Sequence, residues 1–166
     1  MRKTVTLTYP ASPDRVSRML ASPDYQRSRI DGLGLEGVGV DCAPRGDGFV
    51  VTLTGTVPVE RLPAAARGFV RGPLEVKVTE SWGAPSDEGA RSGNLDVALR
   101  GAPGRMSAVT SLSPGQDGAA SHLVLDVSVE VGIPLLGRRV EQTVLGALDG
   151  VLADEERRAA AWLTSR

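Results

Sequence analysis

The sequence predicts an α+β fold in which a curved antiparallel sheet of about seven strands wraps a long C-terminal helix. Three observations carry this prediction. Two helix start signals follow the first strand pattern, apolar residues then alternate with a period of two to about residue 133, and residues 138–163 repeat apolar side chains at steps of three and four. The alternating region contains no long helical segment of the kind that connects parallel strands.

The N-terminal segment predicts one strand followed by two short helices. The strand carries apolar side chains on one face, at Val5, Leu7 and Tyr9, with threonines between them. Ser12-Pro13-Asp14 and Ser22-Pro23-Asp24 each combine a capping serine, a proline at the first turn and an acidic residue near the positive end of a helix. We expect the second helix to end near Asp31-Gly32.

Alternating apolar residues, separated by turn residues, predict the strands of an antiparallel meander. The alternating sets are Val38, Val40 and Cys42; Phe49, Val51 and Leu53; Val76 and Val78; Leu95, Val97 and Leu99; a weaker run from Met106 to Leu112; and Leu123, Leu125, Val127, Val129 and Val131. We expect the inner face of the sheet to carry Leu7, Val51, Val78, Val97 and Val127.

Two segments depart from this alternation and predict helices. Residues 61–70 place Leu62, Phe69 and neighbouring apolar residues at helical spacing, which predicts a short helix between strands. This segment is either a mobile lid over a ligand site, with Leu62 and Phe69 in contact with the ligand, or a packed connector. Residues 138–163 predict one long helix, whose apolar stripe is Val140, Val144, Leu148, Val151, Leu152, Ala159 and Trp162.

Composition excludes several classes of function. A chain of 166 residues fits one domain, residues 1–166, and its net charge of −1 and aromatic content of 4% argue against a nucleic-acid partner. Cys42 is the only cysteine and His122 the only histidine, so an intrachain disulfide and a Cys/His zinc site are excluded by count. We expect no metal and no cofactor. The N-terminus lacks a continuous apolar stretch, and this predicts a cytoplasmic protein.

Two sequence features that suggest catalysis or nucleotide binding lack the structural context that these functions require. Gly32-Leu33-Gly34-Leu35-Glu36-Gly37 has the spacing of the dinucleotide fingerprint, but a helix precedes it and a strand follows, the reverse of the required order. His122 alternates away from Leu123 and Leu125, so we expect it at the surface without a catalytic partner. The sequence therefore nominates no catalytic residue.

The start of the long helix suggests a contact with anions. Arg138 and Arg139 lie where cations oppose the helix dipole, so they could meet an anionic head group or a phospholipid surface. The alternative is a solvated pair offset by Glu141. No stretch approaches 18 consecutive apolar residues, so we expect no integral membrane segment, and transient membrane contact remains open.

Glu80 is the charged residue whose position conflicts with its predicted strand face. It shares the inner face with Val78 and Trp82, where an unpaired carboxylate would cost several kcal/mol. Three alternatives follow: Glu80 is paired with an arginine, it is protonated, or it lies at a rim that water reaches. In the first two cases it could anchor a polar group of a ligand.

The order of elements resembles the START-like (SRPBCC) superfamily, whose domains have the helix-grip fold. Three stretches carry the resemblance: Val78-Thr79-Glu80-Ser81-Trp82, Ser92-Gly93-Asn94-Leu95, and Val131-Gly132-Ile133-Pro134-Leu135-Leu136-Gly137-Arg138-Arg139-Val140-Glu141. Together they are similar to an uncharacterised START-like family of actinobacteria. The resemblance spans nearly the whole chain and implies a hydrophobic cavity, but no residue-specific mechanism.

The leading functional prediction is binding or carriage of a hydrophobic small molecule, such as a lipid, an isoprenoid or a polyketide-like compound. The alternatives are an enzyme of the polyketide cyclase or aromatase kind and a ligand-free interaction or regulatory module. The oligomeric state stays open. The predicted cavity lining is Tyr9, Val38, Val51, Leu53, Val78, Glu80, Trp82, Leu95, Val97, Leu125, Val127, Val144, Leu148 and Val151.

Overall fold

The computed structural model describes residues 1–166, which form seven strands and four α-helices. The strands are Arg2–Tyr9 (β1), Glu36–Arg45 (β2), Gly48–Val57 (β3), Leu74–Trp82 (β4), Arg91–Arg100 (β5), Gly104–Pro114 (β6) and Ser121–Val131 (β7). The helices are Pro13–Leu20 (α1), Pro23–Asp31 (α2), Ala64–Arg67 (α3) and Gly137–Thr164 (α4), and a 3-10 turn spans Val59–Arg61. No helix has both the length and the apolar character needed to cross a membrane.

The seven strands form one antiparallel sheet in the order β1-β7-β6-β5-β4-β3-β2, which confirms the predicted meander. Strand register places the predicted inner-face residues on the same face of this curved sheet, because Val51 pairs with Glu80 and Val78 pairs with Val97. Leu7, Val51 and Val127 are buried, whereas Val78 and Val97 are only partly buried. At these positions β4 and β5 are therefore less covered than β1, β3 and β7.

Two serines start the short helices as predicted. The Ser12 hydroxyl accepts from the Arg15 N–H and the Ser22 hydroxyl from the Tyr25 N–H, each at 3.5 Å. The buried face of α1 consists of Pro13, Val16, Ser17, Met19 and Leu20. Both helices thus close one end of the concave face with apolar side chains.

Among the strands, the backbone of α4 comes closest to β1 and β7, and its Leu145 shares an apolar cluster with Ala108 of β6. Its buried side chains include Val140, Leu145, Ala159 and Leu163. The Glu156 carboxylate accepts from the Thr8 N–H at 2.6 Å, so α4 also covers part of the free edge of β1. This placement leaves the inner faces of β4 and β5 for other elements to cover.

The opposite edge strand, β2, is irregular. Its pairing with β3 shifts between Glu36 and Gly39, where one extra residue forms a β-bulge, and Gly37 has a φ of +58°. Val38 lies in this bulge and is 39% exposed. Near the other end of the strand, Pro44 has no backbone N–H to donate.

Candidate ligand pocket and a buried ionic cluster

A pocket of about 220 Å³ lies where α3, the first two turns of α4 and one end of the sheet meet. Fourteen of its eighteen lining residues are hydrophobic. The sheet contributes Leu74, Val97, Leu99, Gly104, Arg105, Met106, Val129 and Val131; the connections contribute Leu62, Pro63, Ala66, Phe69, Val70, Ala102, Pro103 and Ile133; and α4 contributes Val140 and Val144. The lining is aliphatic, so it favours saturated or branched hydrocarbon over polar groups.

The connection from β7 to α4 fixes one wall of the pocket. The Gly137 N–H donates to the Ile133 carbonyl at 2.8 Å, and the Glu141 carboxylate accepts from the Val131 N–H at 2.9 Å. The bond from Val131 lowers the pKa of Glu141, because it stabilises the charged form. These bonds hold the start of α4 against the end of β7, which brings Val140 onto the pocket wall.

The α3 segment, residues 59–70, forms the opposite wall and is loosely held. None of its residues is buried, and the Phe69 side chain is 47% exposed although it lines the pocket. Arg67 donates to the carbonyls of Leu62 and Glu60 at 2.9 and 2.8 Å, so the segment is stabilised mainly by its own hydrogen bonds. The predicted short helix is confirmed as α3, and it covers the part of the sheet that α4 leaves open.

Arg105 is the charged residue of the pocket lining, and its guanidinium is engaged elsewhere. It lies 2.9 Å from the Glu130 carboxylate in an exposed ion pair. Nowhere in the molecule do three or more His, Cys, Asp or Glu residues come together in a way that could hold a metal ion. The pocket therefore offers apolar surface and few groups for proton transfer.

A cluster of ionised and hydrogen-bonded side chains lies in the core apart from the pocket lining. Arg29 on α2 contacts the Glu80 carboxylate on β4 at 3.0 Å and the Glu155 carboxylate on α4 at 3.2 Å. The Trp82 indole N–H donates to Glu80 at 2.7 Å, and the Tyr25 hydroxyl donates to Glu155 at 2.8 Å. We call these five residues the ionic cluster; they join α2, β4 and α4.

Of the three alternatives for Glu80, the structure selects pairing with an arginine. Glu80 is 4% exposed, which excludes a solvated rim. Burial alone would lower the pKa of Arg29, but the carboxylates of Glu155 and Glu80 outweigh it and raise the pKa of the guanidinium above its usual value. Arg29 therefore stays charged, and its charge compensates the buried carboxylates.

Tyr9 on β1 lies beside the ionic cluster and close to its member Tyr25. Burial and the nearby Glu155 carboxylate raise the pKa values of Tyr9 and Tyr25, so both hydroxyls stay protonated. Tyr9 is fully buried, and its hydroxyl oxygen has no hydrogen-bond partner. Neither tyrosine lines the pocket.

The structure divides the predicted cavity lining among four places. Val97, Val144, Leu62 and Phe69 line the pocket. Tyr9, Val51, Leu53 and Trp82 are buried in the main core, with Glu80 paired beside them, and Val78 and Leu125 pack against that core. Leu95, Val127 and Leu148 belong to a second core cluster, whose members Val129 and Met106 also line the pocket. Val38 and Val151 are exposed, at 39% and 43%.

Sequence reasoning missed the residues at the ends of the strands. Leu99, Met106 and Val131 line the pocket, as do the buried residues Ile133 and Val140. The alternation that predicts Val127 on the inner face also includes Val131, four residues further along β7. The turn at Pro103-Gly104 between β5 and β6 is the signal that could have placed Leu99 and Met106 at the same end of the sheet.

The curved antiparallel sheet and the long C-terminal helix that packs on it define a protein of the helix-grip fold class. Within that class, residues 4–163 match the model of a family described as "Protein of unknown function (DUF2505)", and the chain belongs to this family. An uncharacterized protein of Mycobacterium tuberculosis (strain ATCC 25618 / H37Rv) is 30% identical over 164 residues, which cover 95% of this chain and 93% of the relative. The predicted resemblance is confirmed.

Solved structures of low sequence identity share the fold. The crystal structure of TTHA0849 from Thermus thermophilus is similar with a TM-score of 0.60 and 17% identity, covering 97% of this chain and 98% of the other. The Zhui aromatase/cyclase from Streptomyces sp. R1128 has a TM-score of 0.60 and 12% identity, with coverage of 100% and 94%. Norcoclaurine synthase from Thalictrum flavum has a TM-score of 0.51 and 14% identity, with coverage of 99% and 96%. These similarities establish the helix-grip fold.

Proposed function

We propose that the chain binds or carries a hydrophobic small molecule, such as a lipid, an isoprenoid or a polyketide-like compound, in the pocket beneath α3. The observation that carries this proposal is the aliphatic lining, with Arg105 as its charged residue. Ligand sites of proteins are typically apolar concave surfaces with few polar groups. A pocket of this kind gains free energy mainly from removing hydrocarbon from water.

The size of the pocket restricts the ligand. Its volume of about 220 Å³ is below the roughly 300–1,000 Å³ of pockets that enclose a drug-sized molecule. We therefore propose that the pocket holds a small apolar compound or one end of a longer chain, whose remainder leaves past the α3 segment. Phe69 is placed at this exit, since it lines the pocket and is 47% exposed.

Binding is favoured over the two alternative functions by the composition of the lining. An aromatase/cyclase shares the fold, but a reaction of that kind needs ionisable groups that converge on the substrate. Here the buried ionisable residues belong to the ionic cluster, outside the lining. A ligand-free interaction module would need this apolar space filled by side chains.

A series of 1-alkanols tests this function, with displacement of the fluorescent probe 1-anilinonaphthalene-8-sulfonate as the measurement. Each added methylene is expected to strengthen binding by about 0.8 kcal/mol, or about fourfold, until the pocket is full. Beyond that length the affinity should level off, since further methylenes extend past the α3 segment into water. An affinity that is independent of chain length would contradict a hydrophobic pocket.

Val97→Phe and Val109→Phe form a matched pair for locating the site. Val97 lines the pocket, so the larger ring should occupy it and weaken alkanol binding by about tenfold or more. Val109 lies on the outer face of the sheet and is 60% exposed, so the same change there should leave binding unaltered. Equal effects of the two substitutions would place the alkanol elsewhere.

We further propose that the α3 segment is a mobile lid that opens for ligand entry. Residues 59–70 contain no buried side chain, and weakly packed segments open at low free-energy cost. Amide hydrogen exchange should be faster there than in β6 and β7, and 1-decanol should slow it. Protection equal to that of the central strands, unchanged by decanol, would identify a packed connector instead.

Residues 1–166 are proposed to act as one domain, and the cytoplasm is the proposed location. The sheet uses strands from both ends of the chain, because β1 pairs with β7. Cys42 is the sole cysteine, which suits a reducing compartment. Cell fractionation of the tagged native protein would test the location.

A further inference from the structure

Two large apolar side chains are exposed at the pocket end of the molecule. Leu135 is fully exposed, at 104%. In the sequence it stands between Ile133 and Val140, which both line the pocket. Phe69 is 47% exposed on the α3 segment and lines the same pocket. Leu135 lies in the connection from β7 to α4 and Phe69 in the α3 segment, and both stretches contribute lining residues to the pocket. Nothing within the chain covers Leu135.

Leu135 also has an unfavourable backbone conformation. Its φ of +64° lies in the left-handed region, where a branched side chain is disfavoured and glycine or asparagine is common. A leucine here is unfavourable for the backbone and gains no burial in return within the chain. Such a position is explained when the side chain is buried against something outside the chain.

Exposed arginines lie close in sequence to both apolar side chains. Arg67 and Arg71 flank Phe69, and Arg138 and Arg139 follow Leu135. The ion pairs of the molecule do not include Arg71, Arg138 or Arg139. The whole chain has a net charge of −1, so these arginines supply positive charge at one place on a molecule that is nearly neutral overall.

Two carboxylates at the pocket end are engaged, whereas Glu60 in the α3 segment is exposed and forms no ion pair. Glu130 pairs with Arg105, and Glu141 accepts from the Val131 N–H and the Met1 ammonium. The arginines without carboxylate partners therefore remain available to external anions. Exposed apolar side chains with exposed arginines close to them in sequence match the layering of a bilayer surface, where acyl chains lie beneath anionic head groups.

We propose that the pocket end of the molecule docks on an anionic phospholipid bilayer. Leu135 and Phe69 insert into the interface, while Arg71, Arg138 and Arg139 contact the head-group phosphates. Docking goes beyond the proposed function, because it can occur whether or not the pocket takes a ligand. If both hold, the pocket opens toward the membrane, and a hydrophobic ligand would pass between lipid and protein without crossing water.

Vesicle flotation of the full chain tests this docking. The probes are vesicles of phosphatidylcholine alone and vesicles in which about one third of the lipid is phosphatidylglycerol. The protein should float only with the anionic vesicles, and binding should weaken as sodium chloride rises from about 0.05 M to about 0.5 M. Equal binding to both vesicles, or none to either, would overturn the proposal.

Matched variants locate the docking surface. Leu135→Glu should reduce binding to the anionic vesicles by about tenfold or more, and Arg138→Glu by about fivefold or more. Val109→Glu and Arg45→Glu make the same chemical changes at exposed positions on other parts of the sheet and should leave binding unchanged. Equal losses in test and control variants would overturn the assignment of this surface.

Two further measurements distinguish membrane docking from a damaged pocket and from self-association. Leu135→Glu should retain alkanol binding, so a loss of vesicle binding alone identifies docking, whereas a loss of alkanol binding alone identifies a pocket defect and overturns the docking assignment. Gel filtration should show the same apparent size for wild type and Leu135→Glu. A wild-type dimer that the substitution dissociates would show that Leu135 is covered by a second copy of the chain.

Discussion

Arg29→Met is expected to lower the free energy of unfolding by about 3–5 kcal/mol. The substitution removes the one cation of the ionic cluster and leaves the carboxylates of Glu80 and Glu155 buried without compensation. Their side chains are only 6% and 11% exposed, so water solvates these carboxylates poorly once the guanidinium is removed. Urea unfolding followed by circular dichroism measures the loss.

Arg18→Met is the control for this prediction. Arg18 pairs with Asp14 at the surface, where both side chains are more than half exposed, and such pairs contribute about 0–1 kcal/mol. Adding Glu80→Gln and Glu155→Gln to Arg29→Met should recover part of the lost stability, because no buried charge then remains without a partner. Similar losses for Arg29→Met and Arg18→Met would show that the ionic cluster contributes little.

Gly137→Ala is expected to destabilise the fold by about 1–3 kcal/mol. A Cβ at this position would lie 2.3 Å from the Val131 carbonyl oxygen, and a backbone atom cannot move aside without shifting β7 or α4. Gly146→Ala, in the same helix, meets no atom within 4 Å and should stabilise by about 0.5–1 kcal/mol through helix propensity. The two variants should therefore change the unfolding midpoint in opposite directions.

The Gly137 variant should also affect the pocket. Val131 and Val140 both line it and lie on either side of Gly137 in sequence, so a shift of the helix start changes the wall. Alkanol binding should weaken in Gly137→Ala and stay unchanged in Gly146→Ala. A Gly137→Ala protein as stable as Gly146→Ala would mean that the junction between β7 and α4 adapts more easily than its geometry implies.

The fold was predictable because its signals are local. Alternation along Leu123 to Val131 predicts a strand with one buried face, and β7 spans Ser121–Val131. The serine, proline and aspartate triplets predict the starts of both short helices, because capping depends on residues adjacent in sequence. The long helix begins and ends within one residue of the predicted bounds.

The sequence did not predict the position of the pocket or identify the partner of Glu80. The predicted lining is centred on the middle of the strands, but side chains there pack into the core, and the free volume lies at one strand end. Alternation correctly predicts that Glu80 points inward. Its partner Arg29 lies 51 residues earlier in the sequence, on a polar helix. The two side chains meet only because α2 packs on the sheet, and no local sequence pattern indicates that packing.

The edges of the sheet have a consequence for self-association. An exposed edge strand can recruit a strand from another molecule, which is how many β-rich proteins aggregate. In β2 the bulge between Glu36 and Gly39 interrupts the regular row of donors and acceptors, and Pro44 offers no N–H at its position. At the other edge, Glu156 already occupies the Thr8 N–H. Regular pairing with a strand of a second molecule is thereby disfavoured at these positions of both edges.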